Sequence, residues 1–90
     1  MVEQRTVRPD HEAIARRVRQ GARVLDVGCG DGALLDLLKS TRSVDARGLE
    51  LSSETAGIAM ARGLSVIQGD ADSDLELFPD DSFEVAILSQ

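Results

Sequence analysis

Residues 24–32 read VLDVGCGDG, from Val24 to Gly32, and the fold is decided there. Arg23 to Val27 is a short, mostly apolar run bounded by glycine, the pattern of a buried strand. Gly28, Gly30 and Gly32 then alternate, each removing a Cβ where the backbone turns tightly or approaches a ligand. Asp31 to Lys39 carries Leu34, Leu35, Leu37 and Leu38, too crowded for strand alternation and suited to a helix packed on a sheet. The first N–H groups of that helix are expected to face the glycine loop.

Upstream, Pro9 and Asp10 open a helical stretch, with Asp10 as its N-cap, Ile14 and Val18 on one face and Gly21 as the stop. Downstream, the alternation repeats. Ala46 to Leu51 is a second strand and Ser53 to Arg62 a second core helix, with Ser53 as its N-cap, Glu54 in its first turn and Gly63 at its end. Gly57 weakens that helix by about 1 kcal/mol relative to alanine. Leu64 to Gln68 is a third strand; the acidic stretch Asp70 to Asp81 has room for one turn around Leu75 to Phe78 before Pro79; Phe83 to Leu88 is a fourth strand.

Strands and helices at this spacing predict an α/β fold, a Rossmann-like parallel sheet of order 3-2-1-4 with right-handed crossovers and helices on both faces. Residues 1–90 read as a single small domain, and a fourth strand left as an unpaired edge marks the chain as the N-terminal half of a longer one.

The formal net charge of −6 argues against a nucleic-acid partner, since the cluster Arg16, Arg17 and Arg19 is offset by Asp10 and Glu12 and reads as a solvated helix face. No apolar run reaches the roughly 18 residues that span a bilayer, and the N-terminus lacks a signal-peptide core, so a cytoplasmic protein with no membrane contact is expected. Cys29 is the single cysteine, and His11 the single histidine. These exclude an intrachain disulfide, a cysteine-based zinc site and a multi-histidine metal site built by this chain alone. His11 reads as a helix-surface residue. Cys29 reads as a small packing residue, because no histidine activates it and Asp26 and Asp31 push its pKa up rather than down.

Gly28, Gly30 and Ala33 formally satisfy the dinucleotide pattern G-x-G-x-x-G/A. Asp26 and Asp31 separate the readings: a carboxylate beside the loop opposes a pyrophosphate, and Asp26 suits a cationic amino-acid group. Glu50 closes the second strand, where a carboxylate accepts hydrogen bonds from both ribose hydroxyls. Leu51 offers a surface for an adenine face, and Asp70 stands to reach the exocyclic amine of adenine.

With VLDVGCGDG, GLE ending in Glu50, and QGDAD containing Asp70, the chain resembles class I S-adenosylmethionine-dependent methyltransferases over nearly its whole length. RPDHEAIA, VLDVGCGDGALLDLL and VIQGDADSDLELFPDDSFEVAILSQ, at their spacing, resemble more narrowly the methionine-biosynthesis MetW family. The resemblance implies a seven-stranded sheet in the full protein and S-adenosylmethionine as cofactor, held by Asp26, Gly28, Gly30, Glu50, Leu51 and Asp70. It further implies that Ala71 and Ser89 line the adenine and methionine ends, and that homoserine O-acetyltransferase is a protein partner. Two departures stand out. Glu84 replaces the aspartate of the common F-D-x-V pattern, a longer acid that shifts a strand-end contact without abolishing the fold. Leu88-Ser89-Gln90 replaces the Asn/Asp-Pro-Pro-Tyr run of amino-group methyltransferases, which disfavours transfer to DNA bases.

Three functions follow for comparison. The first is methyl transfer, in which positioning supplies much of the catalysis and no residue here is assigned as general base. The second is a non-catalytic accessory that binds and activates homoserine O-acetyltransferase. The third, a dehydrogenase fragment, rests only on Gly28, Gly30 and Ala33. On this reading Glu50→Ala weakens nucleoside binding with little effect on folding.

Overall fold

In the computed structural model, which describes residues 9–74, 78 and 83–89, the chain runs α1 (Pro9–Arg17), β1 (Arg23–Val27), α2 (Ala33–Arg42), β2 (Asp45–Glu50), α3 (Ser53–Ala61), β3 (Val66–Gln68), α4 (Ala71–Asp74) and β4 (Val85–Leu88). All strand pairings are parallel and the order is β3-β2-β1-β4, as the alternation of elements predicts.

Local chemistry sets the element ends. Pro9 is the first residue of α1, where a missing N–H costs nothing, so Asp10 lies inside the first turn and is not the N-cap. Asp10 and Glu12 at its start and Arg16 and Arg17 at its end complement the helix dipole. Helix α2 begins at Ala33, after Gly32, and continues past Lys39 to Arg42. On α3 the N-cap is Ser52 rather than Ser53: its Oγ accepts the Thr55 N–H at 3.2 Å. Strands β3 and β4 are shorter than expected, starting at Val66 and Val85. The turn expected over Leu75 to Phe78 falls largely outside the described residues, although the Phe78 and Phe83 rings meet edge to face with centroids 5.5 Å apart.

Helices α1, α2 and α3 contribute Ala15, Leu35, Leu38 and Ala59 to one cluster with Val24 and Ala46 of the sheet, and Val18 joins it just after α1. The helix-covered face of the sheet is therefore continuous across β1 and β2. Gly48 of β2 permits its closest contact, because a Cβ there would lie 2.7 Å from Cys29 Sγ and 2.9 Å from a Leu35 methyl group. The longer acid at Glu84 has a defined role at the opposite end of the strands. Its Oε1 accepts the Arg23 N–H at 3.0 Å and its other oxygen pairs with Arg19, fastening the start of β4 to β1.

Strand register brings the sequence signatures together. Asp26 stands opposite Gly48 on one side and Ile87 on the other, and Glu50 opposite Gln68. The carboxyl ends of all four strands thus open on one edge, with the loop after β1 where strand order reverses between β2 and β4.

Candidate functional site

The loop from Gly28 to Gly32 is the centre of that edge. Gly28, Gly30 and Gly32 have φ of 77°, 62° and 87°, left-handed values that side-chain-bearing residues rarely adopt. At Gly32 there is a second demand, since a Cβ would fall 2.2 Å from a Leu64 methyl group. The loop is tied down on all sides. Gly28 and Cys29 both donate to the Leu49 carbonyl, at 2.8 and 3.2 Å, and Gly32 donates to the Cys29 carbonyl at 3.1 Å. Gly30 donates to Glu50 Oε1 at 2.8 Å, and Ala33 to Asp31 Oδ1 at 3.1 Å.

This network narrows, at Ala33, the expectation that the start of α2 presents free N–H groups to a ligand. The Ala33 N–H is already taken by Asp31. With Gly28, Cys29, Gly30 and Gly32 committed as well, the loop has few donors left for a phosphate, and its carboxylates repel one.

Asp26 has none of its surface exposed. One carboxylate oxygen accepts the Ser89 hydroxyl, and the other, Oδ2, has no hydrogen-bond partner among the described residues. Burial raises its pKa to about 6, against the lowering effects of the Ser89 hydrogen bond and of His11 nearby. Ser89 reaches Asp26 because its N–H continues the β4 ladder onto the Val27 carbonyl at 2.9 Å. A buried carboxyl with an unsatisfied oxygen is costly unless a ligand completes it.

Two cavities flank the loop, and Gly28 borders both. The larger, about 530 Å³, is lined by Asp26, Gly30 and Ser89 among others. The smaller, about 180 Å³, brings Glu50, Leu51, Asp70 and Ala71 together. Each of the eight residues expected from the sequence to hold the cofactor therefore borders one of the two. Glu50 is buried and does structural work too: its Oε2 accepts the Ser52 N–H at 3.0 Å while Oε1 holds Gly30. Loss of its side chain therefore touches folding, contrary to the expectation from sequence. Leu51 keeps 64% of its surface exposed beside Glu50, and Gln68 Nε2 holds its carbonyl at 2.7 Å. Asp70 leads into α4, its Oδ1 accepting the Asp72 N–H at 2.9 Å.

The sequence reading missed the contribution of α1. Asp10, His11 and Ile14 line the larger cavity, so His11 is a cavity residue and not simply a surface one. The i, i+3 spacing of His11 and Ile14 was the available signal, since it puts both on one helix face. Cys29 behaves as expected: it is buried, and burial, with help from the Asp26 and Glu50 charges, pushes its thiol up to about 12. Among the described residues, no group of three or more His, Cys, Asp or Glu side chains is arranged to hold a metal ion, and no helix is long and apolar enough to cross a membrane.

Comparison with known proteins agrees with this fold. The bifunctional methionine biosynthesis protein MetXA/MetW of Rhodopirellula baltica is 33% identical over 92 residues, covering 93% of this chain and 15% of that protein. A fatty-acid O-methyltransferase of Mycolicibacterium smegmatis is 38% identical over 82 residues, covering 86% of the chain and 29% of the relative. Among solved structures, a methyltransferase from Thiobacillus denitrificans in complex with S-adenosylhomocysteine superposes with a TM-score of 0.70 at 27% identity, covering 90% of this chain and 36% of that one. The chain thus spans about a third or less of the length of these proteins. The profile of the methionine biosynthesis protein MetW family matches residues 8–90, and the chain belongs to that family.

Proposed function

We propose that this chain is the cofactor-binding part of an S-adenosylmethionine-dependent methyltransferase-like protein of methionine biosynthesis. The observation that carries the proposal is Asp26, buried beneath a phosphate-averse glycine loop with Oδ2 unpartnered at the edge of a cavity. That oxygen suits the ammonium of the cofactor's amino-acid end, and Ser89 holds the carboxyl in place. Across Gly28, Glu50 serves the ribose hydroxyls: each of its oxygens accepts one backbone N–H and keeps a further acceptor lone pair. Leu51 and Ala71 flank the adenine, and Asp70 meets its exocyclic amine.

When bound, the cofactor supplies an electrophilic methyl group on a sulfonium. The residues of this chain bind and orient it; Gly28 and Gly30 keep the loop close without side-chain obstruction. The MetXA/MetW fusion in Rhodopirellula baltica supports homoserine O-acetyltransferase as the protein partner.

Calorimetry on the intact protein tests the proposal. Saturable binding of S-adenosylhomocysteine is expected, weakened by Asp26→Asn, and absence of binding to the wild type refutes it. For the partner, co-purification of the acetyltransferase with the intact protein is expected, and separate elution at micromolar concentrations counts against it.

A further inference from the structure

The larger cavity has a pronounced imbalance. It is bordered by the carboxylates of Asp10, Asp26 and Asp31, yet among the described residues lining it His11 is the one side chain that carries nitrogen. An amino-acid end brings both an ammonium and a carboxylate. Asp26 Oδ2 meets the first need. The second needs donors, and the N–H groups of Gly28, Cys29, Gly30, Gly32 and Ala33 go to protein acceptors. Besides His11 the lining offers the Thr55 hydroxyl and the N–H groups of Asp31 and Leu34, and among these donors only the imidazole can also carry positive charge. The Ser89 hydroxyl is given to Asp26.

His11 is well placed for the task. Helix α1 is held against α2 by Arg42, whose Nε donates to the Ala15 carbonyl at 2.8 Å and whose carbonyl accepts the Gly21 N–H at 2.8 Å. Ala15 and Val18 are buried in the core, which fixes the rotation of the helix. His11 and Ile14 then face the cavity, and His11 is near enough to Asp26 to act on its ionisation. Imidazole donates an N–H in either protonation state.

Resting on the cofactor reading above, we infer that His11 is a ligand-binding residue that donates to the carboxylate of the cofactor's amino-acid end, opposite the ammonium held by Asp26. It makes α1 part of the binding site and distinguishes ligands by whether they carry an amino-acid end.

Two probes separate this role from a structural one: S-adenosylhomocysteine, which has the amino-acid end, and 5′-methylthioadenosine, which lacks it. Calorimetry on the intact protein is expected to show His11→Ala weakening S-adenosylhomocysteine about tenfold, the scale of one hydrogen bond to a charged group, with methylthioadenosine affinity unchanged. His11→Gln, which keeps an N–H donor, is expected to recover most of the loss. An unchanged S-adenosylhomocysteine affinity in His11→Ala, or an equal loss for both probes, overturns the inference while leaving the cofactor reading intact. A wild-type protein that binds neither probe refutes the cofactor reading and this inference with it.

Discussion

Replacing Asp26 with asparagine is expected to make the ligand-free protein more stable and the ligand-bound protein harder to form. Asp26 is wholly buried, and burial lifts its pKa from 3.8 to about 6. Between those values the folded state keeps a proton that the unfolded state has released. Stability therefore falls as pH rises through that window, and above about 6 the full cost of the buried charge is present. At ~1.4 kcal/mol per pKa unit the cost is about 3 kcal/mol. Asparagine keeps the shape and the acceptor for Ser89 but carries no charge. Urea denaturation of the intact Asp26→Asn protein at pH 7.5 is expected to show a gain of about 1–3 kcal/mol, shrinking towards zero near pH 4. On the proposed reading the same substitution removes a charge-assisted contact to the ligand, and S-adenosylhomocysteine binding is expected to weaken by about 1.5–3 kcal/mol. A variant less stable than wild type at pH 7.5, or one with the same stability difference at both pH values, would refute the argument that Asp26 is a desolvated charge awaiting a cationic partner.

Glu50→Ala leaves the Gly30 and Ser52 N–H groups without their acceptor, and chemical denaturation is expected to show a loss of about 2–4 kcal/mol. Its nucleoside affinity is expected to fall by about 1–3 kcal/mol as well. Gly48→Ala forces a methyl group against Cys29 and Leu35 and is expected to cost about 1–3 kcal/mol, whereas Gly57→Ala, in open space on α3, is expected to gain about 0.5–1 kcal/mol. Opposite signs in the same thermal-melt experiment check both. Cys29, buried and with a thiol pushed up to about 12, is expected to resist iodoacetamide at pH 8 in the native protein and to react fully in urea; native-state alkylation at a model-thiol rate would contradict its assigned environment.

Much of the fold was legible in the sequence because its signals are local. The Arg23–Val27 run, the leucine-rich stretch after Asp31 and the glycines between them specify strand, helix and turn from neighbouring residues alone. Their repetition fixes a parallel sheet of order β3-β2-β1-β4, since right-handed crossovers leave few other arrangements. Asp26, Glu50 and Asp70 were legible for the same reason: each follows from its position at a strand end. Errors of a single residue, such as Ser53 for Ser52 as the cap of α3, arose where adjacent residues offer the same side-chain chemistry.

Tertiary structure decided what depends on distant partners. Which carboxylate is desolvated was set by packing: Asp26 lies beneath the loop with Ser89 beside it, 63 positions away in the chain. That Glu50 braces the loop as well as bordering a cavity came from the β1–β2 register, which puts its carboxylate within 2.8 Å of the Gly30 N–H. His11 shares a helix face with Ile14 by spacing alone, but that face met the cavity only through the docking of α1 on α2, where Arg42 Nε donates to the Ala15 carbonyl. The glycine motif VLDVGCGDG thus determined by itself the place of the candidate site; three-dimensional packing decided the charge, burial and donors around the cavity there.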